Sequence, residues 1–324
     1  MPAPNSSWDS VTTVTLENLT NDIADNISKH SAVLTALTKK DRVRMVSGGD
    51  VIVERIAYPG NDTYKRYSGW DVLDVRPTQD ISAASYTPKQ AAVSVAISGR
   101  EQTMNQGKEK QMDLLEQRIK NAMRALKNGV AGDLLSDGTS DSAKQIDGLL
   151  AAIPLDPTTG TYAGINRATY TWWRPYVYDA TTDGGSAATS SNIEGYMERV
   201  WSEICRGEDA PDAIIADNTY WRLYAAAIRG RQFITTEDTA DSGRPKLKFM
   251  NADVYMEGYG AEIPDSRMWF LNTDYLSWRP YEGRNFAVLD GSRYSYNQDG
   301  FCKIIAFMGN LTTSCAFVQG FLKD

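Results

Sequence analysis

The side chains best suited to catalysis are scarce in this sequence. Histidine occurs once, at His30, so a Ser-His-Asp relay would have to pass through that residue, and a histidine-rich zinc site is excluded. His30 lies in the polar stretch NISKHSAV, where a solvated imidazole is expected. Cysteine occurs at Cys205, Cys302 and Cys315 without a CxxC pair. An odd count rules out a complete intramolecular disulfide framework, and three buried thiols in a reducing compartment are expected. Asp133, Asp137, Asp141 and Asp147 surround Gly138, but their spacing departs from the calcium-loop pattern and reads as a solvated helix end. No phosphate loop, strand-following GxGxxG, HExxH or GxSxG is present. The sequence therefore assigns no catalytic, cofactor-binding or metal-binding residue.

Aromatic residues are plentiful by contrast, with 8 Trp and 17 Tyr. Residues 63–74, TYKRYSGWDVLD, place Tyr64, Tyr67 and Trp70 at three-residue steps. Lys65 and Arg66 lie between them, and Ser68, Gly69 and Asp71 are turn formers. Such a set can stack on a sugar or a base, or anchor a protein interface. A second cluster follows at Tyr170, Trp172, Trp173, Tyr176 and Tyr178. Together with a suitable carboxylate pair, these rings would suit a soluble carbohydrate-active or sugar-binding protein, and that is the alternative reading. A grip on nucleic acid is disfavoured, because 41 acidic residues outnumber 34 basic ones and the net charge is -7.

The elements that must position these residues follow from periodicity. With 42% hydrophobic and 23% charged residues, the chain can bury a core of its own. No apolar run reaches the length of a membrane span. In residues 15–39, Leu16, Leu19, Ile23, Ile27, Leu34 and Leu37 form a thin apolar stripe, which predicts a helical arm packed on another surface. Residues 43–97 alternate at both ends, in VIVERIAY and AAVSVAIS. They read as a long two-stranded excursion with little apolar content, and an isolated ribbon of this kind is marginal in water. Ser98 and Glu101 form a capping box ahead of the strongest helix, predicted over 108–135. Its polar face carries Lys110, Arg118, Lys120, Arg124 and Lys127 among acidic residues, so it is solvated or meets a neighbour.

Further on, Ile193 to Ile204 predicts a second helix capped by Ser191 and Glu194, DAIIAD a buried strand, and Asp217 the cap of a third helix. LKFMNADVYMEG and MWFLNTDYLSW read as strands. FCKIIAFMGNLTTSCAFVQGF reads as two strands about a Gly309-Asn310 turn. Strands on both sides of the middle block point to an α+β, discontinuous domain.

This order of parts resembles the tailed-bacteriophage major capsid proteins, with the Hong Kong phage-type fold. The similarity is carried by Ser98-Gly99 leading into the long helix and by the Asp137-Gly138-Thr139 turn with KQIDGLL ending in a "GL" strand. AIIADNTYWRLY, LKFMNADVYM, MWFLNTDYL and TSCAFVQGF carry the rest. The resemblance implies an N-terminal arm (1–43) and an extended β-hairpin loop, the E-loop (44–97). It implies a peripheral domain with a spine helix (98–145 and 286–324) and an axial domain (146–285). The implied function is a non-enzymatic subunit that assembles through hexamers and pentamers into an icosahedral shell around double-stranded DNA, in the virion, after assembly in the host cytoplasm. A separate scaffolding protein, a portal and decoration proteins are the implied partners; no cofactor and no membrane are implied. On this resemblance Leu16, Leu19, Ile23, Ile27, Tyr58, Tyr64, Lys65, Arg66, Tyr67, Trp70, Arg118 and Arg124 are expected at subunit interfaces. Lys65 is also a candidate for a cross-link to a neighbour.

Overall fold

A computed structural model describes residues 31–58, 62–78, 81–104, 114–228, 247–257, 266–289, 293–294 and 299–324. Helix α1 (Ala32–Lys39) leads to a ribbon of β1 (Ile52–Ala57) and β2 (Ile81–Tyr86). Strand β3 (Lys89–Ser98) runs into α2 (Gly99–Met104), and the long helix α3 spans Leu114–Asp133. A turn of helix, α4 (Leu149–Ala152), precedes a small hairpin of β4 (Thr161–Tyr162) and β5 (Ile165–Asn166). Then come β6 (Tyr176–Asp179), α5 (Ile193–Ile204), β7 (Ala213–Ala216), α6 (Asn218–Ile228), β8 (Leu247–Phe249), β9 (Ala252–Met256) and β10 (Arg267–Leu271). The last strands are β11 (Leu276–Pro280), β12 (Ala287–Val288), β13 (Arg293–Tyr294), β14 (Gly300–Thr313) and β15 (Gly320–Lys323).

Two sheets organise the subunit. The six-stranded sheet has the order β6-β15-β10-β7-β9-β8. Its central strands bury both faces, so side chains alternate between two cores. Ile214, Ala216, Met268, Phe270 and Leu322 face α5 and α6, while Ile215, Trp269, Leu271 and Phe321 join the core that also holds α1 and α3. The second sheet is built on β14. It pairs with β3 over ten positions from Gly300↔Ser98 to Gly309↔Lys89, and along its other edge with β13, β12 and β11. Helix α3 packs over β3, with Ala122, Leu126 and Val130 buried and Ile119 and Met123 partly so. At ~1.5 Å per residue its described part is roughly 30 Å long.

The capping box ahead of the helix is present. Glu101 Oε2 accepts the Ser98 N–H at 3.1 Å and Ser98 Oγ accepts the Glu101 N–H at 3.3 Å. Asp217 caps α6 as expected, its carboxylate accepting from Thr219 and Tyr220.

Several expectations are corrected. AAVSVAIS is not the returning half of the excursion; it is β3, paired with β14, and β1 pairs instead with β2. The boundary expected at 285/286 does not follow the sheets, since β11 lies in the β14 sheet and β15 in the six-stranded one. MWFLNTDYLSW is two strands, parted by the 3-10 turn Thr273–Tyr275. The "GL" segment is helical rather than extended. Helix α5 starts after Asn192, whose carboxamide accepts the Thr189 N–H, and no Ser191–Glu194 box forms.

Gly309-Asn310 is no turn, because β14 passes straight through it. Glycine is required there by close packing: a Cβ would lie 2.7 Å from Arg279 O and 2.8 Å from the Phe307 ring. Asn310 is fully buried. Its Nδ2 donates to Thr87 O at 2.9 Å and to Asp147 Oδ2 at 2.7 Å, and its Oδ1 accepts the Asp147 N–H at 3.1 Å. One side chain thus ties β14, the entry to β3 and the turn after α3. Replacing Asn310 with Leu removes three part-buried hydrogen bonds at once, and a loss of about 2–3 kcal/mol in urea denaturation is expected.

Candidate assembly surface

The aromatic stretch of residues 62–78 has no core beneath it. Tyr64 is 78% exposed, Tyr67 64%, Trp70 102% and Val75 91%, and Val72, Leu73 and Ile81 are also exposed. Local polar bonds shape the segment. Asp71 Oδ2 accepts the Ser68 N–H and the Asp71 N–H donates to Ser68 O, closing a turn around Gly69 at φ +54. Lys65 donates to Val72 O at 3.0 Å, and Arg76 pairs with Asp62 at 2.7 Å and Asp74 at 3.1 Å. These exposed pairs contribute little energy. They hold an irregular segment whose apolar rings are exposed, an arrangement that soluble monomers rarely maintain over a contiguous patch. Arg66 is exposed beside the rings.

The base of the ribbon is anchored firmly to its own subunit. Ile52, Ile56, Ala84 and Tyr86 are buried on one face, while Val53, Ala57, Ile81 and Ala83 lie on the other, open face. Tyr86 Oη donates to Thr313 O at 2.7 Å and accepts the Thr313 N–H at 3.2 Å. Burial holds its phenol far above the ordinary tyrosine range. Glu54 Oε1 accepts from Arg279 Nη2 at 2.6 Å, from Arg279 Nε at 3.1 Å and from Thr312 Oγ1 at 3.0 Å. Both charged side chains are less than one-fifth exposed, so this clamp is shielded from salt.

The residues expected at interfaces separate into groups. Tyr64, Lys65, Arg66, Tyr67 and Trp70 are exposed together. Tyr58 is not free: it stacks on Trp172 at 5.4 Å, and Trp172 in turn meets Tyr170 and Trp173. Arg118 is also engaged within the chain, bonding both Glu101 oxygens and donating to Ala96 O at 2.9 Å. Its guanidinium holds the Glu101 carboxyl below the usual range. Arg124 reaches Asn121 on its own helix. Leu16, Leu19, Ile23 and Ile27 lie outside the described residues. The described part of the arm packs within the chain: Ala32, Val33, Ala36 and Leu37 are buried in the larger core, against β7 and β11.

The features that suggested other chemistry are otherwise occupied. Trp173 is buried, donating from Nε1 to Tyr162 O at 3.2 Å, and with Trp172 it packs the foot of the ribbon, whereas Tyr176 and Tyr178 pack against α5. Asp137 accepts from Thr139, Asp133 from Gln145 and Asp147 from Asn310, and no metal-ligating cluster occurs among the described residues. The three cysteines are unpaired and half-buried rather than buried. No described helix is long and apolar enough to cross a membrane.

Severing the clamp is expected to free the ribbon without unfolding the subunit. Arg279→Met should cost about 1–3 kcal/mol, Glu54→Gln less, and the double variant less than their sum in a denaturation cycle. Hydrogen exchange should rise in β1 and β2 while β10 stays protected.

No family model matches the sequence, and no curated protein resembles it. Solved structures do match over nearly the full length. The capsid asymmetric unit of cyanophage A-1(L) superposes with a TM-score of 0.66 at 15% identity, covering 95% of this chain and 96% of that one. The capsid of Myoviridae phage XM1 gives 0.59 at 8% identity, with coverage of 95% and 96%. The holo-SrpI encapsulin complex of Synechococcus elongatus gives 0.59 at 10% identity, with 95% and 92%.

Proposed function

On the tailed-phage major capsid fold, which this chain adopts along nearly its whole length, we propose that it is a structural shell subunit without enzymatic activity. The observation that carries this reading is the ribbon. Its foot is locked to the subunit by Glu54, Arg279, Thr312 and Tyr86, while its outer part presents Tyr64, Tyr67 and Trp70 to whatever adjoins it. A rigid projection with an uncovered apolar end suits a head-to-tail contact, and repeated contacts of that kind close into rings.

In this reading residues 1–43 are the N-arm and the ribbon with 62–78 is the E-loop. The β14 sheet with α3 forms the peripheral domain, and the six-stranded sheet with α5 and α6 the axial domain. Hexamers and pentamers build an icosahedral shell in the host cytoplasm around double-stranded DNA. A scaffolding protein, a portal and decoration proteins are its partners. With net charge -7, the shell encloses DNA without gripping it. The sugar-binding alternative loses its main support, because Trp172 and Trp173 are stacked within the subunit.

Size-exclusion chromatography with negative-stain microscopy tests the proposal. Capsomers, shells or tubes are expected, and a strictly monomeric chain at high concentration contradicts it. Tyr67→Ala with Trp70→Ala should leave circular dichroism and melting of the subunit unchanged but reduce or destabilise the shells. Unfolded subunits, or normal shells, would show that these rings are not interface anchors. A lysine-to-neighbour cross-link at Lys65 would appear as ladders on a denaturing gel of assembled material; monomer-sized bands alone exclude it.

A further inference from the structure

Glu257, just past β9, meets the start of α1 with its carboxyl. It is 5% exposed, and its Oε2 accepts the Ala32 N–H at 2.9 Å. The Val33 amide lies close enough to favour the ionised carboxyl as well. These are the first two amides of α1, which the helix itself leaves without partners. Ser31 caps the same end, its Oγ accepting the Leu34 N–H at 3.3 Å. The main chain of Glu257 is fixed by its N–H on Ala216 O. The carboxyl is therefore held by the six-stranded sheet and the helix by the carboxyl.

The charged groups on the surrounding elements are used elsewhere. On α1 and just after it, Lys39 lies over the Tyr255 ring at 5.6 Å and Lys40 pairs with Asp212 at 3.2 Å. On β9, Asp253 accepts from Tyr255 Oη. After β7, Asp217 takes the amides of Thr219, Tyr220 and Ser266. Arg267 on β10 lies two strands across the sheet, with Asp217 between. None forms an ion pair with Glu257 among the described residues. Two opposing effects act on this carboxyl. The helix N-terminus favours the anion by about 0.3–1 kcal/mol, up to ~2 in buried settings. Removing a carboxylate from water costs several kcal/mol, and at 5% exposure, with no cation beside it among the described residues, burial outweighs the amides.

We propose that Glu257 is a protonation-controlled latch on α1: the neutral carboxyl keeps this helix docked, and its ionisation loosens the helix from the core. Burial pushes the Glu257 carboxyl up from 4.5 to about 7, with the two amides offsetting part of the rise. The raised value fixes the sign. Docking is tightest below about 4.5, weakens as pH climbs towards about 7, and is level above that. The latch does not depend on the shell proposal.

Hydrogen exchange of the full chain between pH 4.5 and 8.5, corrected for the intrinsic chemical rate, tests it. Opening of the α1 amides should increase by on the order of a hundredfold as pH rises to about 7 and then level off. Glu257→Gln should abolish that dependence and leave α1 protected throughout. Ala32→Pro, which removes one donor at a helix position that tolerates proline, should leave a pH dependence at least as large. It serves as the second variant if Glu257→Gln fails to fold. His30→Gln controls for the adjacent imidazole and should leave the profile unchanged. A flat wild-type profile, an unchanged profile in Glu257→Gln, or loss of the dependence in His30→Gln would overturn the proposal.

Discussion

The subunit depends on the ladder that β14 makes with β3. Ten consecutive pairings join residues 89–98 to residues 300–309, and the opposite edge of β14 takes β11, β12 and β13. Asn310, fully buried within that strand, adds hydrogen bonds to Thr87 and Asp147. Helix α3 has nothing to lie on until β3 is paired, and the ribbon has no foothold until Thr312 and Thr313 are in place. Because the partners are some two hundred residues apart, loop closure must precede the reward, a topology associated with slow folding.

The same strand explains how a ribbon with no core of its own keeps its direction. One face of β1 and β2 is buried, and Glu54 and Tyr86 are bonded to consecutive residues at the end of β14. Tyr58, with Trp172, continues the support further along. Beyond that point the described residues carry a turn closed by Ser68 and Asp71, the Lys65–Val72 bond and exposed ion pairs, and the apolar rings of residues 64–70 are left to the solvent. The boundary between what the chain packs against itself and what it leaves exposed therefore falls between Tyr58 and Tyr64.

Local signals hold where local physics decides. The Ser98–Glu101 box, the Asp217 cap, the buried run AIIA and the apolar stripe of α3 all form where spacing places them. The failures share one cause. Gly309-Asn310 has turn chemistry, but ladder pairing with β3 and β11 and the partners of Asn310 keep the chain extended. The bonds of Arg118 to Glu101 and the stacking of Tyr58 on Trp172 join residues that no local pattern links. Glu257 carried no signal at all, since a lone Glu after a strand is ordinary until a helix end is set upon it.

The sequence by itself determined the α+β class, the absence of a recognisable catalytic constellation, and an aromatic segment too poor in apolar neighbours to bury itself. Helical and strand periods and caps are short-range properties, written in residues three or four apart. Tertiary structure alone decided which strand pairs with which, which cations are spent within the subunit, and which rings stay uncovered. Those outcomes depend on contacts between residues far apart in the chain, whose energies no local pattern records.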